Sequence, residues 1–375
     1  MKKTVNNNLT PWEVSGNINY NKLLTDFGVS KIDERIRKNF KNMHPLLHRE
    51  TYFAHRDIEK WIDNAKKGKK VSIVSGRGPS EKMHLGHLVP FLVAKSFQEE
   101  FDCDVYIPIS EDEKFYVKGN LDYNKALSYA EDNILDLIAL GFKPGKTFIF
   151  QDFGYTDIYR YAAQVAKKIN YSTAKAIFGL KPENNIGWTF YPAMQAAHIL
   201  FPQFTKEKHM TLVPVAIDQD PFIRLTRDIA ESFGFEKPAA IHAQFIPSLY
   251  GEVKMSSSSS ESSAIFLNDD KKTVEEKIKK YAFSGGQKSI EEHRKLGGNP
   301  EVDVSFQYIK MFFEPDDKKL QKLHDDYRSG RLLTSELKGI LIERINKFLE
   351  EHQKKKKEAK KQFDKFVLKN NSFEK

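Results

Sequence analysis

The sequence predicts an α/β fold, with a mostly parallel sheet wrapped by helices and an all-helical C-terminal part after it. Three observations carry this. Short β-branched runs alternate with segments of helical spacing between Lys69 and Ser262, the pattern of βαβ units. From Lys271 onward almost every segment has helical spacing. A chain of 375 residues is long enough for two cores.

Taken in order, the N-terminal stretch NYNKLLTDFGVSKIDERIRKNF reads as part of an extension that ends in one or two helices. KKVSIVSG, from Lys69, is a β-branched run closed by glycine and predicts a buried strand. A helix over HLGHLVPFLVAKSFQEEF and a strand over DVYIPIS follow. Next come a helix from Tyr123, the strand KTFIFQ and a helix around Tyr159, with YPAMQAAHIL also helix-like. TLVPVAI predicts a further strand, and a helix is expected from Phe222 to Phe233. VEEKIKKYAF, VSFQYIKMFF and ELKGILIERINKFLEEHQKKKKEAKKQF predict the helical part. The expected division is an extension at 1–68, an α/β domain at 69–262 and a helical domain at 263–375. The last helix is free to pack back on the α/β domain.

A net charge of +9 and a pI near 9.1 suit polyanionic partners. The lysine block Lys354–Lys357, with Lys360 and Lys361, is either a solvated helix face or a contact for RNA phosphates. No apolar stretch approaches the length of a membrane span, LVPFLVA from Leu88 being typical, so no membrane role is expected. MKKTVNNNLTPW has no apolar core of a secretory signal. The one cysteine, Cys103, excludes an intrachain disulfide and any cysteine-based metal cluster; it fits a small core residue in a cytoplasmic protein.

The strand at Val71 runs into SGRGPSEKMHLGH. Gly76 and Gly78 invite a phosphate-loop reading, but the Gly-Lys-Ser/Thr end of a P-loop and the three spaced glycines of a dinucleotide site are both missing. What remains is His84-Leu85-Gly86-His87 at a helix start, where backbone N–H groups favour anions. The two histidines, three apart, would share a helical face and offer ring N–H groups to phosphate or ribose; Gly86 would let a flat base approach. Chance and a metal pair are the other readings, although helical zinc pairs prefer i, i+4 spacing. Far downstream, GEVKMSSSSSESSAIF, from Gly251, is either a serine linker or a loop that must move.

HLGH and KMSSS together resemble the paired motifs of class I aminoacyl-tRNA synthetases. FGVSKID, FAHRD, GRGPS, DEKFYVK, FPQF, AIDQDPFIRLTRD, AFSGG and IEEHRKLGGNPEVDVSFQY extend this along nearly the whole chain. The chain is thereby similar to the eukaryotic and archaeal type of tryptophanyl-tRNA synthetase. The resemblance implies a Rossmann-type parallel sheet catalytic domain, an all-helical anticodon-binding domain and a homodimer. L-tryptophan, ATP and the tryptophan tRNA are the implied substrates, with Mg2+ carried on the phosphates rather than in a protein cage. It implies that Lys254, His84 and His87 act in catalysis. ATP would be held by Arg77, Gly78, His84, Gly86, His87, Lys114, Lys254, Met255, Ser256 and Ser257. Gly76, Ser110, Glu113, Gln195 and Gln219 would surround tryptophan, the last three as acceptors for its ammonium group. Each also has an ordinary reading: Glu113 as a solvated acid in SEDEK, Gln195 as helix surface, and Gln219 as a structural turn.

Two implied pocket positions depart from the family. Where it places a tyrosine and a glutamine to accept the indole N–H, this chain has Val74 and Pro108, neither of which can accept. Ser110 or a backbone carbonyl is the alternative acceptor. After FSGG, where the family offers an arginine–aspartate pair to the anticodon, this chain has Gln287 and Lys288. The rival readings are a tyrosine-specific synthetase, a small nucleotidyltransferase and a catalytically silent RNA-binding relative. DQDP and FSGG speak against the first, chain length against the second, and both intact motifs against the third.

Overall fold

The computed structural model of the chain describes residues 20–251 and 261–373. Those residues form two compact units. The first gathers the described residues of Met1–Lys82, Leu88–Gln244 and Glu358–Lys375; the second gathers Met83–His87 and the described part of Phe245–Lys357.

The first unit is built on a seven-stranded sheet. Its strands are β1 (Ser30–Lys31), β2 (Tyr52–Arg56), β3 (Val71–Val74), β4 (Asp104–Ile109), β5 (Thr147–Gln151), β6 (Met210–Ala216) and β7 (Ala239–Ala243), in the order β1-β2-β7-β6-β3-β4-β5. From β7 to β5 every pairing is parallel, with Ile73 opposite Val105 and Leu212. β2 joins β7 antiparallel and β1 joins β2 antiparallel. The expected strands β3 to β6 stand where the β-branched runs placed them. β1, β2 and β7 are additions: the stretch expected to hold only an extension and helices gives β2, and AAIHA gives β7. Alanine is a poor strand former, and β7 forms because both its faces are buried in the sheet.

Helices cover both faces. Trp61, Phe97 and Phe101 meet edge to face on one side, and Trp61 Nε1 donates to the Ser72 carbonyl at 3.1 Å. Phe150, Tyr155 and Phe201 pack within the core that includes the helix Ile186–Thr205. Asn185 caps that helix by accepting from the Trp188 N–H at 2.8 Å. The outer edge of β5 is covered by the chain's own end: the Ile149 N–H donates to the Phe366 carbonyl, and the Leu368 N–H to that of Ile149. An unpaired sheet edge is thereby closed.

The second unit is helical. It includes Lys271–Tyr281, Ile290–Leu296, Asp317–Arg328 and most of Thr334–Ala359. VSFQYIKMFF forms the helix Val304–Tyr308 and then a wider turn of π-helix. Asp303 organises its centre, accepting from the Ser305 and Gly285 N–H groups and, at 2.7 Å, from the Tyr327 hydroxyl. No described helix is long and apolar enough to cross a membrane.

Candidate functional site

Chain order runs outward from β3 to β4 and β5 on one side, then resumes on its other side with β6 and β7. This reversal makes the carboxyl ends of β3 and β6 the place where open α/β sheets hold ligands. The ladder continues past β3, with the Ser75 N–H donating to the Tyr106 carbonyl and the Arg77 N–H to that of Pro108. Gly76 therefore lies flat on Pro108, and a Cβ at Gly76 would sit 3.1 Å from Pro108 Cγ. A Cβ on Gly78 would stand 2.2 Å from Glu113 Oε2, so only glycine lets that carboxylate approach the loop.

A cavity of about 260 Å³ opens there. Gly76, Arg77, Gly78, Ser110 and Glu113 line it, as do Gln195, Gln219, Val74 and Pro108. The residues implied by the resemblance for the amino-acid substrate thus meet in one place, although they come from four separate segments. The remaining wall is largely apolar, with Ile199, Val213, Phe222 and Ile223.

Its polar groups are placed by short elements. SEDEK is a helix start rather than a solvated loop: Ser110 precedes the helix Glu111–Val117, and all three carboxylates are buried. Glu113 is paired with Lys114 Nζ at 2.7 Å. Gln219 ends the 3-10 turn Ile217–Gln219, from which the helix Asp220–Ser232 departs. Gln195 is only half-buried on its helix, yet its amide oxygen is buried without a hydrogen-bond partner among the described residues. Arg77 donates through Nη1 to the Gly78 carbonyl at 2.8 Å, while Nε and Nη2 are buried without partners among the described residues. Burial pulls its guanidinium down to about 10, still charged at neutral pH. An acceptor left over and a cation with spare donors together suit a zwitterion or a cation–anion pair.

Behind this wall lies a cluster that the motifs did not announce. His198, which also lines the cavity, has Nε2 at 2.8 Å from Asp152 Oδ1, and both are buried. Burial pushes the Asp112 carboxyl up to about 9, with the neighbouring Asp152 adding to the shift, and burial raises Asp152 well above its ordinary value as well. Burial likewise raises Glu111 to about 7 and lowers His198 to about 4, so that imidazole is neutral. The only sequence signal was three acids in a row next to apolar strands.

The other implied residues belong to the second unit. His84 stands just before the helix Leu85–Phe101 rather than on it, so the two histidines do not share a helical face in the expected way. Its N–H instead donates to His87 Nδ1 at 3.1 Å, and the two rings stack with centroids 3.4 Å apart. Accepting at Nδ1 places the His87 proton on Nε2. Gly86 lies in the first turn of the helix. The Leu85 N–H donates to the Ile265 carbonyl and the Leu267 N–H to that of Met83, with His84 bridged to Phe266. HLGH is thus laced to the segment that follows the serine run. Lys254, Met255, Ser256 and Ser257 lie outside the described residues. The chain on either side of them is pinned: the Leu249 N–H donates to the Ser263 carbonyl at 2.8 Å, and the Tyr250 and Ser262 hydroxyls are 2.6 Å apart. Gln287 and Lys288 line a separate cavity of about 540 Å³ with Lys279 and Lys338. Gln287 Nε2 is already donated to the Gly297 carbonyl at 2.9 Å.

Residues 66–350 match the family described as tRNA synthetases class I (W and Y). A tryptophan–tRNA ligase of Sulfurisphaera tokodaii is 51% identical, aligning 94% of this chain with 93% of its own. Among solved structures, tryptophanyl-tRNA synthetase from Giardia lamblia is 36% identical with a TM-score of 0.87, covering 93% of this chain and 96% of that one. The Encephalitozoon cuniculi enzyme bound to tryptophan is 34% identical with a TM-score of 0.85, covering 95% and 99%.

Proposed function

The chain belongs to the class I aminoacyl-tRNA synthetases of the tryptophan and tyrosine family, and we propose that the cavity at the carboxyl ends of β3 and β6 is its tryptophan site. The activity itself is tryptophan–tRNA ligation with ATP. The observation that carries the assignment of the site is the buried Gln195 amide oxygen without a partner, beside Glu113 and Gln219. An ammonium group needs several acceptors held at once, and these three supply a carboxylate and two amides.

The reaction needs little covalent help. The carboxylate of tryptophan attacks the α-phosphate of ATP in line. A C–O–P bond forms as the bond to the β-phosphate breaks, and pyrophosphate leaves. Positioning and charge neutralisation therefore carry the rate. Arg77, with two buried donors to spare, suits a phosphate or carboxylate oxygen. His84, Gly86 and His87 we assign to ATP, with Gly78 and Lys114 beside the amino-acid end. The spare donors of Arg77 suit phosphate, and Mg2+ would be carried on ATP rather than in a protein cage. Lys254, Met255, Ser256 and Ser257 we assign to the pyrophosphate portion.

Gln287 and Lys288 we assign to the anticodon, on the grounds that their cavity also holds Lys279 and Lys338. Lys288→Ala should raise the KM for tRNA several-fold, an effect that shrinks as salt rises. Constant tRNA KM at low salt would remove Lys288 from that role.

The functional test is amino-acid-dependent ATP–pyrophosphate exchange with tryptophan, tyrosine and phenylalanine. Exchange with tryptophan alone is expected, lost when Mg2+ is chelated, from a protein that sediments at twice its 43.4 kDa chain mass. A homodimer in the cytoplasm, where its tRNA is used, completes the reading. Exchange with tyrosine at a comparable rate would overturn the assignment of the cavity.

A further inference from the structure

We propose that His198, oriented by Asp152, accepts the indole N–H of bound tryptophan and so selects it over flat rings that lack this donor. The inference rests on the reading of the cavity as the tryptophan site.

It starts from a deficit. Val74 and Pro108 line the cavity at the two positions where acceptors were expected, and their side chains accept nothing. A ring N–H buried against them without a partner would weaken binding markedly. His198 lines the same cavity. It follows Gln195 by three residues on the helix Ile186–Thr205, so both side chains leave the same face. One rigid helix thereby presents an acceptor for the ammonium end and an acceptor for the ring.

The tautomer decides whether the imidazole can do this. Nε2 lies 2.8 Å from Asp152 Oδ1, and Nδ1 has no partner among the described residues. With Asp152 Oδ1 accepting the Nε2–H, the imidazole carries its proton on Nε2. That leaves the Nδ1 lone pair available. Burial dominates and keeps the ring neutral, against Asp112, Glu111 and Glu113, which act to raise it. Ser110, the other acceptor on this wall, has its oxygen 3.4 Å from the Tyr191 hydroxyl.

The test compares kcat/KM in pyrophosphate exchange for tryptophan and for β-(3-benzothienyl)alanine, in which sulfur replaces the ring N–H. The wild-type chain should prefer tryptophan by about 10- to 100-fold. His198→Phe should bring the ratio near one, chiefly by raising the KM for tryptophan. His198→Gln, which keeps an acceptor, should restore part of it. Asp152→Asn gives a second route: its amide can donate to Nε2, turn Nδ1 into a donor and remove the preference. A preference untouched by His198→Phe, even with both rates lowered together, would leave His198 a structural role only and sink the proposal. So would a preference that vanishes in Ser110→Ala and survives in His198→Phe. A wild-type chain active with tryptophan and indifferent to the sulfur swap overturns the proposal alone; one inactive with both overturns the reading of the cavity as well.

Discussion

Lys254→Ala is expected to slow tryptophanyl-adenylate formation by about 10²–10³-fold while leaving the KM for tryptophan within about two-fold. The reason lies in where charge moves. As the α-phosphate accepts the tryptophan carboxylate, negative charge shifts onto the departing pyrophosphate. A cation that meets those oxygens during the displacement lowers the barrier, and its loss removes that transition-state contact. The acceptors we assign to tryptophan, Glu113, Gln195 and Gln219, line a cavity of the first unit and are not altered by this substitution. The chain flanking Lys254 is hydrogen-bonded at Leu249 and Ser263, and its far side is laced to HLGH.

Single-turnover adenylate formation and equilibrium tryptophan binding, measured on the same preparation, separate the alternatives. A fall in maximal rate with binding intact is the expected pattern. Loss of tryptophan binding at an unchanged maximal rate would take Lys254 out of the reaction. Lys254→Arg should recover part of the rate, since it restores charge but not the compact ammonium.

The parts of the fold that could be read from sequence are those where local pattern and burial agree. VSIV and VYIPI are apolar because parallel strands are covered on both faces, and β3 and β4 were predicted at nearly their true bounds. AAIHA carries no such pattern, and β7 exists only because β6 and β2 flank it. The site divided in the same way. HLGH and the serine run were legible as motifs, whereas Glu113, Gln195 and Gln219 became candidates only through resemblance, because ordinary readings were open for each. His198 was not found at all. Its meaning depends on Asp152 and Asp112, which are distant in sequence, and on a burial that reverses the usual expectation for a run of acids. Charge patterning assigns SEDEK to solvent; the fold puts all three carboxylates inside.

Asp220→Asn should destabilise the protein by about 3–5 kcal/mol, the usual cost of removing one partner from a buried ion pair. The fully buried carboxylate takes a two-pronged contact from Arg56, whose Nε and Nη2 lie 2.7 and 2.8 Å from its two oxygens. His242 Nε2 is 3.0 Å away and Arg224 Nε 3.3 Å. Arg56 also donates to the carbonyls of Phe27 and Gly28, so this cluster ties the N-terminal segment and β2 to the helix that begins beside Gln219. Burial alone would push the Asp220 carboxyl up, but hydrogen bonds and charge from Arg56 and His242 outweigh it and hold the group at about 2, below its ordinary 3.8. A lowered folded-state value means that the unfolded chain binds the proton first. The contribution is therefore whole above about pH 4 and is lost as pH falls toward 2. Urea unfolding at neutral pH should show the lower midpoint, and the difference between wild type and variant should close in acid. Because Asp220 adjoins Gln219, the KM for tryptophan should rise as well. The double variant Arg56→Met with Asp220→Leu should lose less stability than Asp220→Asn, since no charge is left stranded. Equal midpoints for wild type and Asp220→Asn at neutral pH would show that the cluster does not hold these segments together.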